Sequence, residues 1–360
     1  MFRFNIWSLS SWCLVLFVAA AGLSLTAQNA IAADDAWSST PAKAGGKIVI
    51  RIAMVEDEDE NPAAAGKAAA EKLNKMMDGT PLKAVVVSEC FEDLENKEKV
   101  LAGICAVVPR EIVLGGATYG SFCQKGVSDF DSVCLLGIGG DGISVAAALV
   151  ANMGTSKLTV EEHLELIRKR LNAAGAKLAD KLRKTDRDRL CIVIPDTHAV
   201  AKTQALVAGI QQVTGKQFPI TGGCVCKNAG QTFSYFRGKA CGDSAVALML
   251  SGDFSVSLAG RKAKDNDKVI STAGEAATEA LRNLQGKPIA AIGFGCAGRR
   301  SKLKNIDDEL LAIRKVIGEE LPLFGCWCAG EIGPVDSTER IPGVLSGGGG
   351  WHLMFTVIGR

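Results

Sequence analysis

The sequence is poor in the residues that most enzymes lean on. It has three histidines, His163, His198 and His352, and none sits in a recognisable nucleophile motif. There is no Gly-x-Ser-x-Gly elbow and no phosphate-binding P-loop, so the common serine-hydrolase and nucleotide-hydrolase patterns are absent. Neither sign of charge is in surplus: the formal net charge is +2 with 22% charged residues. That balance predicts neither a nucleic-acid surface nor a polybasic membrane patch. Beyond the N-terminus no apolar run approaches the ~18 residues of a membrane span. Proline is sparse, ten against forty glycines. The glycines fall mainly at strand ends, where they read as tight turns or close backbone approaches.

What is present begins with a targeting pattern. Arg3 precedes the apolar stretch WCLVLFVAAAGLSL, and Ala30-Ile31-Ala32 fits a small-residue cleavage site. The expectation is a signal peptide over 1–32, an exported mature chain from Ala33 in a periplasmic or extracellular setting, and a flexible segment over 33–46. An uncleaved anchor is the competing reading. Cys13 lies too early in the apolar run to be a lipoprotein cysteine. Removing the leader takes the cysteine count from twelve to eleven, an odd number that cannot all pair within one chain. Most sit in apolar runs, where a free thiol packs as a small hydrophobe.

Three segments share one order of elements. They run KAVVVSEC to LGGATYGSF, RLCIVIPD to PITGGCVCKN, and PIAAIGFGCAGRR to LFGCWCAGEIG. Each opens on a short buried-strand pattern, continues with a helical period, and ends at paired small residues: Gly115-Gly116, Gly222-Gly223 and Gly325-Cys326. The predicted fold class is α/β (α+β): three pseudo-repeated helix-strand-helix-hairpin units with mixed sheets. SVCLLGIGG and ISVAAALV are read as hairpin strands of the first unit, with GGDG, residues 139–142, as their turn. SAVALML and FSVSLAG close the second. The third unit ends on WHLMFTVI and lacks a partner strand, so the N-terminal strand over 47–56 is expected to close it beside 351–358. Asp196 or Thr197 is expected to cap the helix after the second strand. EDEDEN over 56–61 reads as a solvated loop. SGGGG over 346–350 reads as a flexible lead-in, or else a flap.

These turns carry a resemblance. LGGATYGSF, PITGGCVCKN, AAIGFGCAGRRSKL and LPLFGCWCAGEIGP resemble the glycine-rich turns and the Phe-x-Cys-x-x-Arg strand of the FIST sensory-domain family, over about residues 47–360. The domains implied are a FIST N-terminal-like region over 47–260, holding two units, and a shortened FIST C-terminal-like region over 261–360. Ser121 stands where the family tends to have Glu, and Cys328 where it tends to have Thr. The resemblance implies a small-molecule-binding sensory protein, with amino acids or their derivatives as the expected ligand class and a signalling protein as a partner. No cofactor is expected.

If the units share a centre, the turns could line one pocket. The candidate ligand-binding residues are Thr118, Tyr119, Gly222, Gly223, Arg299, Trp327, Cys328 and Glu331. Glu331 would meet an amino group, Arg299 (or Arg300) a carboxylate, and Trp327 or Tyr119 an apolar group. Each has a plainer reading: turn chemistry for the glycines, satisfied turn amides for Glu331, a solvated basic loop for the arginines, core for Trp327. Two other functions stand beside the sensor. Cys224, Cys226, Cys326 and Cys328 form two Cys-x-Cys turns that could serve a metal or redox site. Cys328 beside Glu331 could be a hydrolase centre, without a local base.

Overall fold

In a computed structural model, residues 35–182, 185–226 and 232–360 are described. The leader over 1–32 lies outside them. A short strand, β1 (Ala36–Ser38), comes first. The next elements are β2 (Val49–Glu56), α1 (Pro62–Met77), β3 (Leu82–Glu89), α2 (Leu94–Cys105), β4 (Val113–Ala117), a small hairpin of β5 (Ser121–Cys123) and β6 (Gly126–Ser128), and β7 (Ser132–Gly139). The same succession then repeats. It runs β8 (Ile143–Val150), α3 (Val160–Lys181), β9 (Asp188–Pro195), α4 (Val200–Thr214), β10 (Ile220–Gly223), the pair β11 (Ser234–Phe236) and β12 (Lys239–Cys241), and β13 (Ala245–Gly252). The last pass is β14 (Ser255–Lys262), α5 (Asn266–Asn283), β15 (Pro288–Cys296), a one-turn α6 (Ala297–Arg300), α7 (Asp307–Ile317), β16 (Leu323–Cys328), the pair β17 (Glu331–Gly333) and β18 (Gly347–Gly349), and β19 (His352–Gly359).

The protein is therefore a mixed α/β fold built on three mixed sheets. Their strand orders are β2-β7-β3-β4-β11-β12, β1-β8-β13-β9-β10-β17-β18 and β14-β19-β15-β16-β5-β6. Setting β1 aside, the three orders are equivalent. Each sheet has four strands from its own unit and a two-stranded hairpin from another. Among the described residues, only the pairs β3–β4, β9–β10 and β15–β16 are parallel.

One shared apolar core draws on all three sheets, with Ile50, Leu136, Val145, Ile192, Leu248, Ile292, Phe294 and Met354 among its members. The opposite faces pack under the helix pairs α1–α2, α3–α4 and α5–α7 in separate clusters. Strands covered on both faces read as continuous apolar runs, and β7, β8, β13 and β19 are buried at every position. Among the described residues no helix is long and apolar enough to cross a membrane.

The phase of the repeat differs from the sequence expectation. β2 pairs along its whole length with β7, not with β19, which already has β14 and β15 on its two sides. The reason lies in the helices. α1 follows β2 and packs on α2 so closely that a Cβ on Gly103 would lie 2.1 Å from Ala63 O. That contact commits β2 to the sheet those two helices cover. Likewise α5 packs against α7, which commits β14 to the third sheet.

Residues 139–142 are thus no hairpin: β7 and β8 lie in different sheets, and so do β13 and β14. The third unit lacks no strand, and a boundary at 260/261 would cut through β14. Within 33–46, β1 is paired with Ala146–Ala148 of β8, so that stretch is no simple flexible lead. Gly347–Gly349 forms β18 against β17. The cap residue of α4 is Ala199, with no side-chain cap bond; Asp196 instead accepts the Asp243 amide at 2.9 Å. The 56–61 loop is largely exposed.

Candidate functional site

Register brings the three strand-end turns together. In the parallel pairs Gly115 lies opposite Val87, Gly222 opposite Val193 and Gly325 opposite Gly293. The residues that follow are Gly116, Gly223 and Cys326. Against them the exchanged strands set Ser234, Glu331 and Ser121. Two hydroxyls and one carboxyl thus occupy equivalent places. Between the turns is a cavity of about 10 Å³, walled by Ser88 and Thr118 from the first unit, Gly223 and Cys224 from the second, and Cys326 and Cys328 from the third. That is about the smallest space that holds one water.

The glycines are demanded by packing. A Cβ on Gly222 would sit 1.9 Å from Val193 O, one on Gly223 2.5 Å from Cys328 Sγ, and one on Gly325 2.0 Å from the Phe122 ring. Around the cavity, Ser88 Oγ lies 2.9 Å from Thr118 Oγ1 and 2.7 Å from Ser121 Oγ. Cys224 Sγ lies 3.2 Å from Thr197 Oγ1 and 3.0 Å from Thr203 Oγ1.

The first turn of the second helix in each unit sends a buried polar group toward these strand ends. Lys97 of α2 lies 3.4 Å from Glu89, which also accepts the Tyr235 hydroxyl. Thr203 of α4 meets Thr197, and Glu309 of α7 meets Arg299.

Glu331 is fully buried. Its Oε2 accepts the His352 amide at 2.8 Å, and its Oε1 lies 3.9 Å from Cys328 Sγ. Burial pushes the carboxyl up from 4.5 to about 8, against the opposing pull of the His352 amide and the Cys296 thiol. It is therefore a neutral acid at pH 7. His352 beside it is fully buried, with its own pKa lowered by burial. Nδ1 donates to Gly350 O at 2.9 Å and Nε2 accepts from the Asp336 amide at 3.1 Å, the pattern of a neutral imidazole.

All eleven described cysteines are free thiols, nine of them buried. Burial raises Cys224 to about 11 and Cys326 to about 12, and drives Cys226 and Cys328 well above 9. Cys224, Cys226, Cys326 and Cys328 do not form a metal cluster: among the described residues no group of three or more His, Cys, Asp or Glu side chains could hold an ion. Cys226 Sγ points to Trp327 O at 3.7 Å, while Cys328 Sγ points to Gly295 O at 3.3 Å. Protonated, buried thiols are also poor nucleophiles.

The candidates from sequence divide into two groups. Thr118, Gly223 and Cys328 line the cavity, with Gly222 and Glu331 on the strands beside it. Arg299, Trp327 and Tyr119 do not join them. Arg299 is fully buried and spoken for: Nε and Nη2 reach Glu309 Oε1 at 3.0 and 2.7 Å, and Nη2 also reaches Val269 O at 2.8 Å. No fork remains for a ligand carboxylate. Trp327 packs on Phe122 with ring centroids 5.2 Å apart, and its Nε1 donates to Glu309 Oε2 at 3.3 Å. Tyr119 lies against Phe130 and under the Arg300 guanidinium. Sequence reasoning missed Ser88 and the ordering role of His352. Ser88 lies opposite Gly116 in the β3–β4 register, a signal available only once that pairing is fixed.

No curated protein matches the chain. Among solved structures, a cyanuric acid hydrolase from A. caulinodans is similar at 10% identity and a TM-score of 0.42, over 87% of this chain and 100% of that one. The FIST N domain matches residues 83–265 and the FIST C domain residues 259–334. Together they span the three strand-end turns and the cavity between them, and the chain belongs to the FIST family.

Proposed function

We propose that this is an exported small-molecule sensory protein whose ligand, an amino acid or a derivative, enters between the three strand-end turns. FIST domains are sensory domains, and the observation that carries the reading is the cavity walled by residues of all three units. At about 10 Å³ it is closed to such a ligand. Binding therefore has to part the turns, and the change in spacing between units is what a signalling partner would read.

Thr118, Gly223, Cys328 and Glu331 form the contact set, with hydroxyl and backbone groups at the ligand's polar atoms. Glu331 receives the amino group. Because it is neutral when the cavity is closed, an incoming ammonium would displace its proton. Affinity should then rise with pH toward the carboxyl's pKa of about 8.

A thermal-shift panel of amino acids and their derivatives tests this. A ligand at 100 times its dissociation constant adds about 2.7 kcal/mol. One compound should give a saturable shift that weakens in Glu331→Gln. A panel without any shift defeats the reading. Export rests on the leader pattern, and the N-terminus of protein recovered outside the cytoplasm should be Ala33.

A further inference from the structure

A second feature lies on the outer side of the third sheet, away from the cavity. Aromatic residues are only 6% of the sequence, with two tyrosines and five tryptophans. Three of these scarce rings surround one side chain. The Arg300 guanidinium lies 4.9 Å from the Tyr119 ring centroid, 5.3 Å from Trp327 and 5.6 Å from Phe130. Tyr119 and Phe130 meet edge to face, with centroids 5.4 Å apart and planes at 84°, so they form two walls of a box. The walls come from three separate segments: the turn after β4, the loop between β6 and β7, and β16. Asp129, half exposed, pairs with the guanidinium at the mouth.

The occupant fits this box imperfectly. Arg300 Nε is buried and has no hydrogen-bond partner, an arrangement that costs free energy. One wall, Phe130, is 50% exposed, so the box opens to solvent. Arg300 extends from the one-turn α6, and its neighbour Arg299 is locked to Glu309. That anchor fixes the backbone from which the Arg300 side chain extends.

We propose that Tyr119, Phe130 and Trp327, with Asp129 at the mouth, form a binding site for an organic cation. The group recognised is a guanidinium or a methylated ammonium, and Arg300 is a built-in occupant that such a ligand displaces. Aromatic faces attract these weakly hydrated cations, and a carboxylate at the rim supplies the counter-charge. Trp327 lies between Cys326 and Cys328 in β16, both of which line the central cavity. The box does not depend on the cavity reading.

Calorimetric titration with agmatine and with tetramethylammonium chloride, against sodium chloride, tests the site. Arg300→Ala removes the competitor and should bind at least one probe about tenfold more tightly than the unaltered protein. Adding Phe130→Ala, a change at an exposed ring, should abolish that gain. Glu331→Gln should leave it intact, which separates failure of the box from failure of the cavity proposal. Arg300→Gln serves if Arg300→Ala does not fold, as judged by circular dichroism. The proposal is overturned if the folded Arg300 variant binds neither probe at tens of millimolar, or if Phe130→Ala leaves its binding unchanged.

Discussion

Glu331 makes the stability of this protein depend on pH in an unusual direction. In the folded chain its carboxyl holds a proton up to about pH 8, whereas the unfolded reference is 4.5. Between those values the folded state binds one more proton than the unfolded state, so stability falls as pH rises. The slope is about 1.4 kcal/mol per pH unit. Going from pH 5 to pH 8 should therefore remove roughly 3–4 kcal/mol, and the full penalty above pH 8 is about 5 kcal/mol. Below pH 4.5 there is no penalty. Glu331→Gln keeps the shape and an acceptor for the His352 amide but cannot ionise. Urea unfolding of both proteins in reductant, at pH 5, 6.5 and 8, isolates the effect, because other titrating groups cancel in the difference. The variant should gain roughly 3–4 kcal/mol on the unaltered protein across this range. Parallel curves with a constant offset would refute the assignment of a buried neutral acid.

Other changes should act through named contacts. Glu309→Gln leaves the Arg299 charge buried without its counter-ion, and should cost about 3–5 kcal/mol in chemical denaturation. Gly325→Ala forces a methyl into the Phe122 ring, where 2.0 Å is available, and should cost about 1–3 kcal/mol in the same assay. Thiol titration of the folded protein with an aromatic disulfide should show prompt reaction confined to the half-buried Cys105 among the described cysteines, because burial and the neighbouring Glu331 push the Cys296 thiol up to about 12. Prompt reaction at Cys224, Cys326 or Cys328 would mean that the turns open readily.

Much of the fold was legible in the sequence. Apolar runs such as CIVIP and AAIGF are strands because both of their faces are covered, and the family turns stand where register later joined them. The phase of the repeat was not legible. SVCLLGIGG-DG-ISVAAALV has the local signature of a hairpin, yet its two strands pair with partners far along the chain. Hairpin and inter-sheet link share one local pattern, and only the packing of α1 on α2 separates them. The position of Glu331 at a strand-end turn was legible, whereas the burial of Arg299 was not. RRSKLK looks like a solvated basic loop, but Arg299 turns inward because Glu309, ten residues on, lies on the buried face of α7. Ser88 carries no local mark, since its importance comes from the strand beside it.

The exchanged hairpins have a consequence for ancestry. The first unit lends β5–β6 to the third sheet, the second lends β11–β12 to the first, and the third lends β17–β18 to the second. This is a head-to-tail contact that closes after three steps, the geometry of a cyclic trimer. A single unit could not complete its own sheet, but three separate copies could. The present chain has the form of such a trimer fused end to end. The links at 139–142 and 252–255 would then be the joints where separate termini once stood.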